Sequence, residues 1–577
     1  MKYSEAVKYL EELPRFTRKH GLEQTRAFLD RLGAPDERMA EQGTLVAHVA
    51  GTNGKGSVCQ YLSEMFLTAG AHVALFTSPH LVDTRERIRF DRKEIPKEAF
   101  CRLLDEVREK AGSGEDGPTY FETLFLIAEL WFAKQNPDVV VLETGLGGRL
   151  DATNVVRHKD VCVITRIGLD HMQYLGNTVA AIAGEKAGIL RPGVPAVVLS
   201  EPEEARKVFE ARARLLPCPL FVVKPEDFSV RPADGRSIDF SLRYRYDCKD
   251  FPGEGAAGSF SAAGLCSGTA ENGAAGGISA AGLCSGTVEN DAAGDPMQPG
   301  SAPWLTAGPS YGTAAGGAAE LQIDARLRTP ALYQGENASL ALVAAGLFRG
   351  GRGACRNGSQ VSSSEQAMAG GSSLPAVSEP ERHDVLSERV MAGGSNFPAG
   401  SGPERHVVLS ERVMARGISE AFWEGRMEEI LPGVFLDGGH NPDGIGAFLQ
   451  SAAAVPLPAG GRRLLLFSAV SDKQVGVMAK EILDSGLFAQ VVAVPMQNER
   501  GLSAERLGQF FRDAQGAGRS VVVRESVPDG FRTLLTEKRP EDLVFAAGSL
   551  YLVGMIKELC GEGMNLTRAS GSWCPEK

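Results

Sequence analysis

The chain has 577 residues, too many for one compact core, so two domains or a heavily inserted pair is expected. Its 61 Lys and Arg against 72 Asp and Glu give a formal charge of −11, which argues against a nucleic-acid partner and leaves room only for local basic pockets. The N-terminal "MKYSEAVKYLEELPRF" lacks the apolar core of a signal peptide, no apolar run reaches membrane-spanning length, and ten scattered cysteines form no C-x-x-C pair, so a cytoplasmic protein without zinc or disulfides is expected.

From residue 44 to about 200, short β-branched runs ("TLVAHVA", "HVALF", "DVVVLE", "DVCVIT", "PAVVLS") alternate with helical stretches at 57–69, 97–109, 121–135 and 178–188. That alternation predicts a mostly parallel sheet wrapped by helices. A second series, "VFLDG", "RLLLFSAV", "QVVAVP", "SVVVRE" and "DLVFAAG", begins near 434 and predicts a second α/β domain. Between them, residues 251–318 are rich in Gly, Ala and Ser and repeat "SAAGLCSGT" at 261 and 279. Residues 351–416 repeat "PERHxVLSERVMA" from 380 and 403. Such units offer too little apolar surface to offset their ordering entropy, so both segments are expected to be flexible insertions, and His383 and His406 to be copied sequence rather than metal ligands.

"HVAGTNGKGSVCQYL" ends an apolar strand and opens a helix, the context that a phosphate loop needs. Gly51, Gly54 and Gly56 let backbone N–H groups approach phosphates, Lys55 can neutralise them, and Ser57 stands one place later than the common motif puts its hydroxyl. Glu143, at the end of "DVVVLE", emerges at the carboxyl edge of a buried strand, where α/β sheets hold ligands and where a magnesium nucleotide needs a carboxylate. Asp170 and His171 follow the strand "VCVIT", and Lys186 lies in the helical "GEKAGI". Taken singly, Ser78 in "TSPHL" is a turn residue, His171 a structural histidine and Lys186 a surface lysine.

In order, "GTNGKGS", "TSPHL…ERI", "PTYFET", "LETGLGGRLDATN", "GLDHMQYLG" and "EKAGI" resemble the folylpolyglutamate synthase and dihydrofolate synthase family of the Mur ligase superfamily. "YQGENASLAL", "FWEGRMEEI", "LDGGHNPDG", "SDKQ" and "AGSLYLVG" continue the resemblance. It implies a Mur ligase-like α/β fold: a P-loop ATP- and folate-binding domain over 1–350, a repetitive linker over 351–416, and a smaller Rossmann-like glutamate ligase domain over 417–577. It also makes Lys-Gly-Ser the family's own loop form. The resemblance implies that Gly51, Thr52, Asn53, Gly54, Lys55, Gly56 and Ser57 hold ATP, with Asn337, Arg426 and Asp437 completing the nucleotide site. Ser78, Glu143 and His171 would ligand magnesium, with two ions expected, and Lys186 would be carried as a carbamate that holds the second metal. Thr119, Tyr120, Phe121, Glu122 and Asp151 match segments that face the pterin, and Gly439 departs from a usual Ala.

The implied reaction joins L-glutamate to a folate, to dihydropteroate or to both, a choice that the sequence leaves open, through an acyl phosphate made with ATP. Lys55, Lys186 and His171 are the expected catalytic residues, and the protein is expected to act as a monomer in folate metabolism. Two other readings share the phosphate loop: a Mur-type ligase for another peptide-like acid, and a P-loop ATPase that forms no amide.

Overall fold

The computed structural model describes residues 1–14, 21–114, 117–247, 318–350, 409–496, 501–514, 520–561, 568–569 and 572–573. The first domain is built on an eight-stranded sheet of β1 (Leu45–Ala50), β2 (Val73–Phe76), β3 (Ile88–Phe90), β4 (Lys93–Glu94), β5 (Val139–Glu143), β6 (Val161–Ile164), β7 (Ala196–Leu199) and β8 (Leu220–Val223). Its order is β4-β3-β2-β5-β1-β6-β7-β8. All pairs from β2 to β8 are parallel, and β3 and β4 form an antiparallel edge. β1 and β5 are buried along their whole length, which is why they read as unbroken apolar runs.

Helices cover both faces: α1 (Tyr3–Glu11), α2 (Leu22–Arg31), α3 (Pro35–Glu41), α4 (Lys55–Thr68), α5 (Lys97–Lys110), α6 (Tyr120–Gln135), α7 (Met172–Leu175), α8 (Val179–Lys186), α9 (Glu203–Leu215) and α10 (Gln334–Gly350). Val49, Leu75, Val141 and Val163 point into one core with α4 and α10, and their neighbours Phe76, Val140 and Leu142 into another with α5 and α6, the two-residue period of a strand covered on both sides. A three-stranded antiparallel sheet of β9 (Phe228–Pro232), β10 (Ile238–Asp247) and β11 (Ala318–Leu327) joins the first of these cores.

The second domain has a six-stranded sheet of β12 (Arg426–Leu431), β13 (Val434–Asp437), β14 (Arg463–Phe467), β15 (Gln490–Ala493), β16 (Ser520–Val523) and β17 (Leu543–Ala547). Its order is β12-β13-β17-β14-β15-β16, parallel except for β12. One face packs α12 (Pro442–Ala454), α13 (Val475–Asp484) and α14 (Ala504–Ala514); the other packs α15 (Val527–Glu537) and α16 (Leu550–Gly561). No helix among the described residues is long and apolar enough to cross a membrane.

One expected boundary moves. Residues 409–416, assigned to the repetitive linker, are folded: Ser410 caps helix α11 (Glu411–Glu420), its side chain accepting from the amide of Val413. Leu409, Met414, Ile418 and Ala421 are buried in the first domain's core against α4, so the second domain starts near β12 rather than at 417. The remaining expected insertions, up to residue 317 and from 351 to 408, lie outside the described residues.

Candidate active site at the interdomain cleft

The loop from Gly51 to Gly54 joins β1 to α4. Gly51 and Gly54 take positive φ values of 149° and 93°, and a Cβ at either would collide with Thr165 or Asn337. The hydroxyl of Thr165 donates to the carbonyl of Asn53 at 2.7 Å, and the amides of Thr52 and Asn53 donate to the carbonyl of Arg166, so the next strand pins the loop. From Lys55 onward the first-turn amides of α4 are the orphan donors of a helix N-terminus, suited to an anion. Lys55 Nζ donates to the carbonyl of Thr52 at 3.3 Å. Asn337 and Ser57 are linked through Gln334, a residue the sequence did not single out: Asn337 Nδ2 donates to Gln334 Oε1 at 3.0 Å, and Gln334 Nε2 to Ser57 Oγ at 3.1 Å.

Glu143 ends β5 beside this loop, and its Oε2 accepts the amide of Ser78 at 2.9 Å. Burial raises its pKa to about 6, and the charge of Lys55 offsets part of that rise. Lys186, 3% exposed at the end of α8, donates to the carbonyl of Gly51 at 2.6 Å. Desolvation, with help from Lys55, brings its pKa down to about 7. His171 opens α7 at φ 50° and is held down to about 4, mainly by desolvation, with Asp170 opposing. These residues fit a divalent cation in donor type, since a desolvated carboxylate and a neutral imidazole are both forms that a cation stabilises. Among the described residues, however, no three His, Cys, Asp or Glu side chains are grouped as a ready-made metal site.

The residues matched to the pterin segment divide into two kinds. Thr119 caps α6, and its amide and hydroxyl donate to Glu122 Oε2 at 2.9 and 2.8 Å, while Thr25 donates to Glu122 Oε1 at 2.6 Å. Asp151 Oδ2 accepts the amides of Gly145 and Leu146, both at 2.9 Å, and its Oδ1 accepts the amide and hydroxyl of Thr153. Both carboxylates thus face the protein and shape the walls. Tyr120 is buried beneath the guanidinium of Arg87, 5.5 Å from its ring centre. Phe121 is half-buried, its ring against Gly145 of the "GLGG" turn.

The second domain faces the same loops. Arg426 pairs in register with Asp437, whose buried carboxylate accepts from Tyr333 Oη at 2.6 Å and from the amides of Met427 at 3.1 Å and Gly439 at 2.8 Å. At Gly439 a Cβ would lie 2.9 Å from the carbonyl of Gly444. Asp170 is the meeting point of the domains: Lys473 pairs with its Oδ1, and Asn441 Nδ2 and His440 Nε2 lie 3.2 and 3.4 Å from its Oδ2. That company holds the Asp170 carboxyl far below the usual range despite burial. Asn441 also exchanges hydrogen bonds of 3.0 Å with Asn53 of the phosphate loop. An open cavity of about 220 Å³ lies between the domains, lined by Ser57, Tyr61, Gln334, Trp423 and Arg426 among others. The phosphate loop with Glu143 and Lys186 and, from the second domain, Arg426 and Asp437 thus lie about one cleft with Tyr333, Gln334, Trp423, His440, Asn441 and Lys473, while Glu122 and Asp151 turn inward.

Residues 49–214 match the family model of the Mur ligase middle domain, and residues 425–550 that of the Mur ligase glutamate ligase domain. A folylpolyglutamate synthase of Arabidopsis thaliana is 42% identical over 205 residues, which are 35% of this chain and 36% of that protein. The dihydrofolate synthase/folylpolyglutamate synthase of Bacillus subtilis is 40% identical over 216 residues, 37% of this chain and 49% of that protein. The match thus spans less than half the length of these curated relatives. The Mycobacterium tuberculosis folylpolyglutamate synthase complexed with ADP and AMPPCP superposes with a TM-score of 0.65 at 22% identity, covering 97% of this chain and 98% of that one. E. coli FolC in complex with DHPP and ADP gives 0.64 at 24% identity over the same shares, a likeness of fold. With both domains matched in order and the architecture shared, the chain belongs to the Mur ligase family.

Proposed function

We propose that this protein is an ATP-dependent amide ligase that adds L-glutamate to a folate-type acid through an acyl phosphate, with dihydropteroate as a second acid. The observation that carries the reading is the meeting, in one cleft, of a phosphate loop, the buried Glu143 and Lys186, and Arg426 and Asp437 from a second domain. The synthases named above, one of them solved with ADP and DHPP, support the choice of substrates.

The first step brings two anions together, the γ-phosphate and the acid's carboxylate. Lys55 and the α4 amides offset their repulsion and the charge on the transferring oxygens, so positioning and electrostatics supply most of the rate. Ser78, Glu143 and His171 are the proposed magnesium ligands; when bound, the ions would neutralise the phosphates and polarise the reacting oxygens. His171 is held neutral, the form that ligates. Lys186 has a pKa of about 7, so a large share of its amine is neutral near pH 7. The neutral nitrogen can add to the carbon of CO2 and release a proton, giving a carbamate that would serve as a further carboxylate ligand for a bound ion. Arg426 and Asp437 bound the nucleotide from the second domain. The Asp170 contacts with Lys473, His440 and Asn441 hold the domains together over the loops, excluding the water that would hydrolyse the acyl phosphate.

The test is product analysis by mass with ATP and glutamate, offering dihydropteroate or tetrahydrofolate in turn. One glutamate is expected to be added per ADP released, with release dependent on both acid and amine. ADP release in the absence of either, with no new amide, would make the protein an ATPase and sink the proposal.

A further inference from the structure

The order Lys55-Gly56-Ser57 has a counterpart on the far side of the cleft. A Cβ at Gly56 would stand 2.9 Å from Trp423 Cζ2, closer than real Cβ atoms approach, and a tight 3.1 Å from Cε2 and Nε1. Six residues earlier, Gly417 of α11 lies on the backbone of Met65, where a Cβ would stand 2.6 Å from that residue's Cα. The chain from Gly417 to Trp423 therefore runs antiparallel along the phosphate-loop helix, from its last turn to its first, and Arg426 of the second domain follows three residues later. The guanidinium carbon of Arg89 sits 5.6 Å from the centre of the indole, and its Nε is buried with no hydrogen-bond partner. Trp423 is thus held between Arg89 and Gly56, and lines the same cavity as Ser57 and Arg426.

We propose that Trp423 is a positioning residue for the phosphate loop: its indole seats against Gly56 and fixes the first turn of α4, and the glycine after Lys55 is there to admit it. A common P-loop, with Ser or Thr directly after the lysine, would bring a side chain into the space that Trp423 occupies. The effect is one of aim. The α4 amides bind phosphate only if the first turn points at it, and a displacement of about 1 Å far from the chemistry can cost on the order of 10²-fold. Because Trp423 lies between α11 and β12, it also ties the setting of this turn to the seating of the second domain. The inference rests on reading residues 51–57 as the nucleotide loop.

The test is calorimetric ADP binding by the full chain, with kcat and the KM values for ATP and for the acid. Trp423→Ala is expected to weaken ADP binding by about tenfold and raise KM for ATP, leaving KM for the acid unchanged, with Trp423→Phe recovering most of the loss. Gly56→Ala is expected to weaken ADP binding too, yet the double variant G56A/W423A should bind ADP more tightly than G56A, since the added methyl then has room. Wild-type affinity in W423A, or a double variant weaker than either single one, overturns the proposal. Should W423A not fold by circular dichroism, G56A against G56A/W423F decides the matter: the smaller ring must restore part of the lost affinity, and no restoration overturns the proposal. A wild-type chain that binds ADP but forms no amide would refute the ligase reading and leave this inference standing.

Discussion

Two buried lysines, Lys186 and Lys159, have almost the same electrostatic state and different work. Lys186 is 3% exposed and Lys159 is 4% exposed, and desolvation brings each down to about 7. Lys186 donates to the carbonyl of Gly51 in the phosphate loop, and among the charges acting on it that of Lys55 has the largest effect. Lys159 donates instead to Asn154 Oδ1 at 2.7 Å, an oxygen that also takes a hydrogen bond from Arg191 at 2.8 Å. Close by, His48 Nε2 is 2.8 Å from the hydroxyl of Thr153, which donates to Asp151, the carboxylate that orients the turn at Gly145. A lowered pKa is therefore a mark of burial. What the group touches decides whether the burial serves chemistry or braces a loop.

The strongest way to break this comparison is to remove each lysine. Lys186→Ala is expected to lower ligation by on the order of 10²- to 10³-fold with the fold intact, as for loss of a group that stabilises charge in the reacting complex. Lys159→Met is expected to shift kcat by no more than a few-fold, with its main effect on KM for the acid. Equal losses of kcat in steady-state assays would mean that both lysines act on the reaction, and the contrast would fail.

A second measurement sharpens the same contrast through pH. Carbamate formation needs the neutral amine, and the neutral fraction of Lys186 grows as pH rises through about 7. Enzyme depleted of CO2 should therefore regain activity on addition of bicarbonate, and to a greater extent at pH 8 than at pH 6. The residual activity of Lys186→Ala should not respond; a response there would place the effect elsewhere.

For Lys159 the same depression appears in stability. Its folded pKa of about 7 lies below the ordinary 10.5, so between those values the unfolded chain binds the extra proton and stability rises with pH. Below about 7 the lysine is charged in both states and the folded state bears the whole desolvation penalty. Lys159→Met should then raise the urea midpoint more at pH 7 than at pH 9.5, flattening the slope. A parallel shift at both pH values would mean that the folded amine stays charged through pH 9.5, so that its pKa is not depressed by burial.

The first domain's architecture was legible because its central strands are covered on both faces: 45–50, 73–76, 139–143, 161–164 and 196–199 all show as apolar runs. The hairpin β10–β11 was not, because "SLRYRYD" alternates charge with apolar residues and its partner strand begins only at Ala318. Helix α11 was hidden by its setting. It belongs to the second copy of a repeat, and the pattern of Leu409, Met414 and Ile418 is absent from the first copy, where Ser395 stands at the place of Ile418. Lys55 and Glu143 stood out by their places at a helix start and a strand end, while Lys186, singly a surface lysine, stood out only through the family resemblance. Tyr333 and Lys473 acquire their partners only when the domains pack, and Gln334 and Trp423 only when distant segments meet α4, each across more than 100 residues, and no local pattern encodes that. Glu122 and Asp151 show the reverse case: their motifs were visible, while the inward direction of their carboxylates follows from capping and turn hydrogen bonds.

The smallest expected effect carries the comparison over to acids. Glu143 and Glu129 are both buried, but Glu143 has the amide of Ser78 and the charge of Lys55 to hold its carboxylate near 6, while both oxygens of Glu129, 1% exposed on α6, have no hydrogen-bond partner. Desolvation, with Asp36 adding to it, raises Glu129 well above the ordinary 4.5, so the folded protein keeps a proton that the unfolded chain releases as pH passes that value. Stability contributed by the protonated form is therefore lost as pH climbs from 4.5 toward the folded pKa. Replacing the acid with Leu removes two unpaired polar atoms at near-constant volume and should stabilise the chain by on the order of 1–3 kcal/mol at pH 7, a rise of a few degrees in the calorimetric midpoint. The gain should shrink at pH 5, where less of the unfolded chain's carboxylate is ionised, and turnover should not change. A gain of equal size at both pH values would show that Glu129 ionises in place, which would require a cation or water that pairs it as Lys55 and Ser78 pair Glu143.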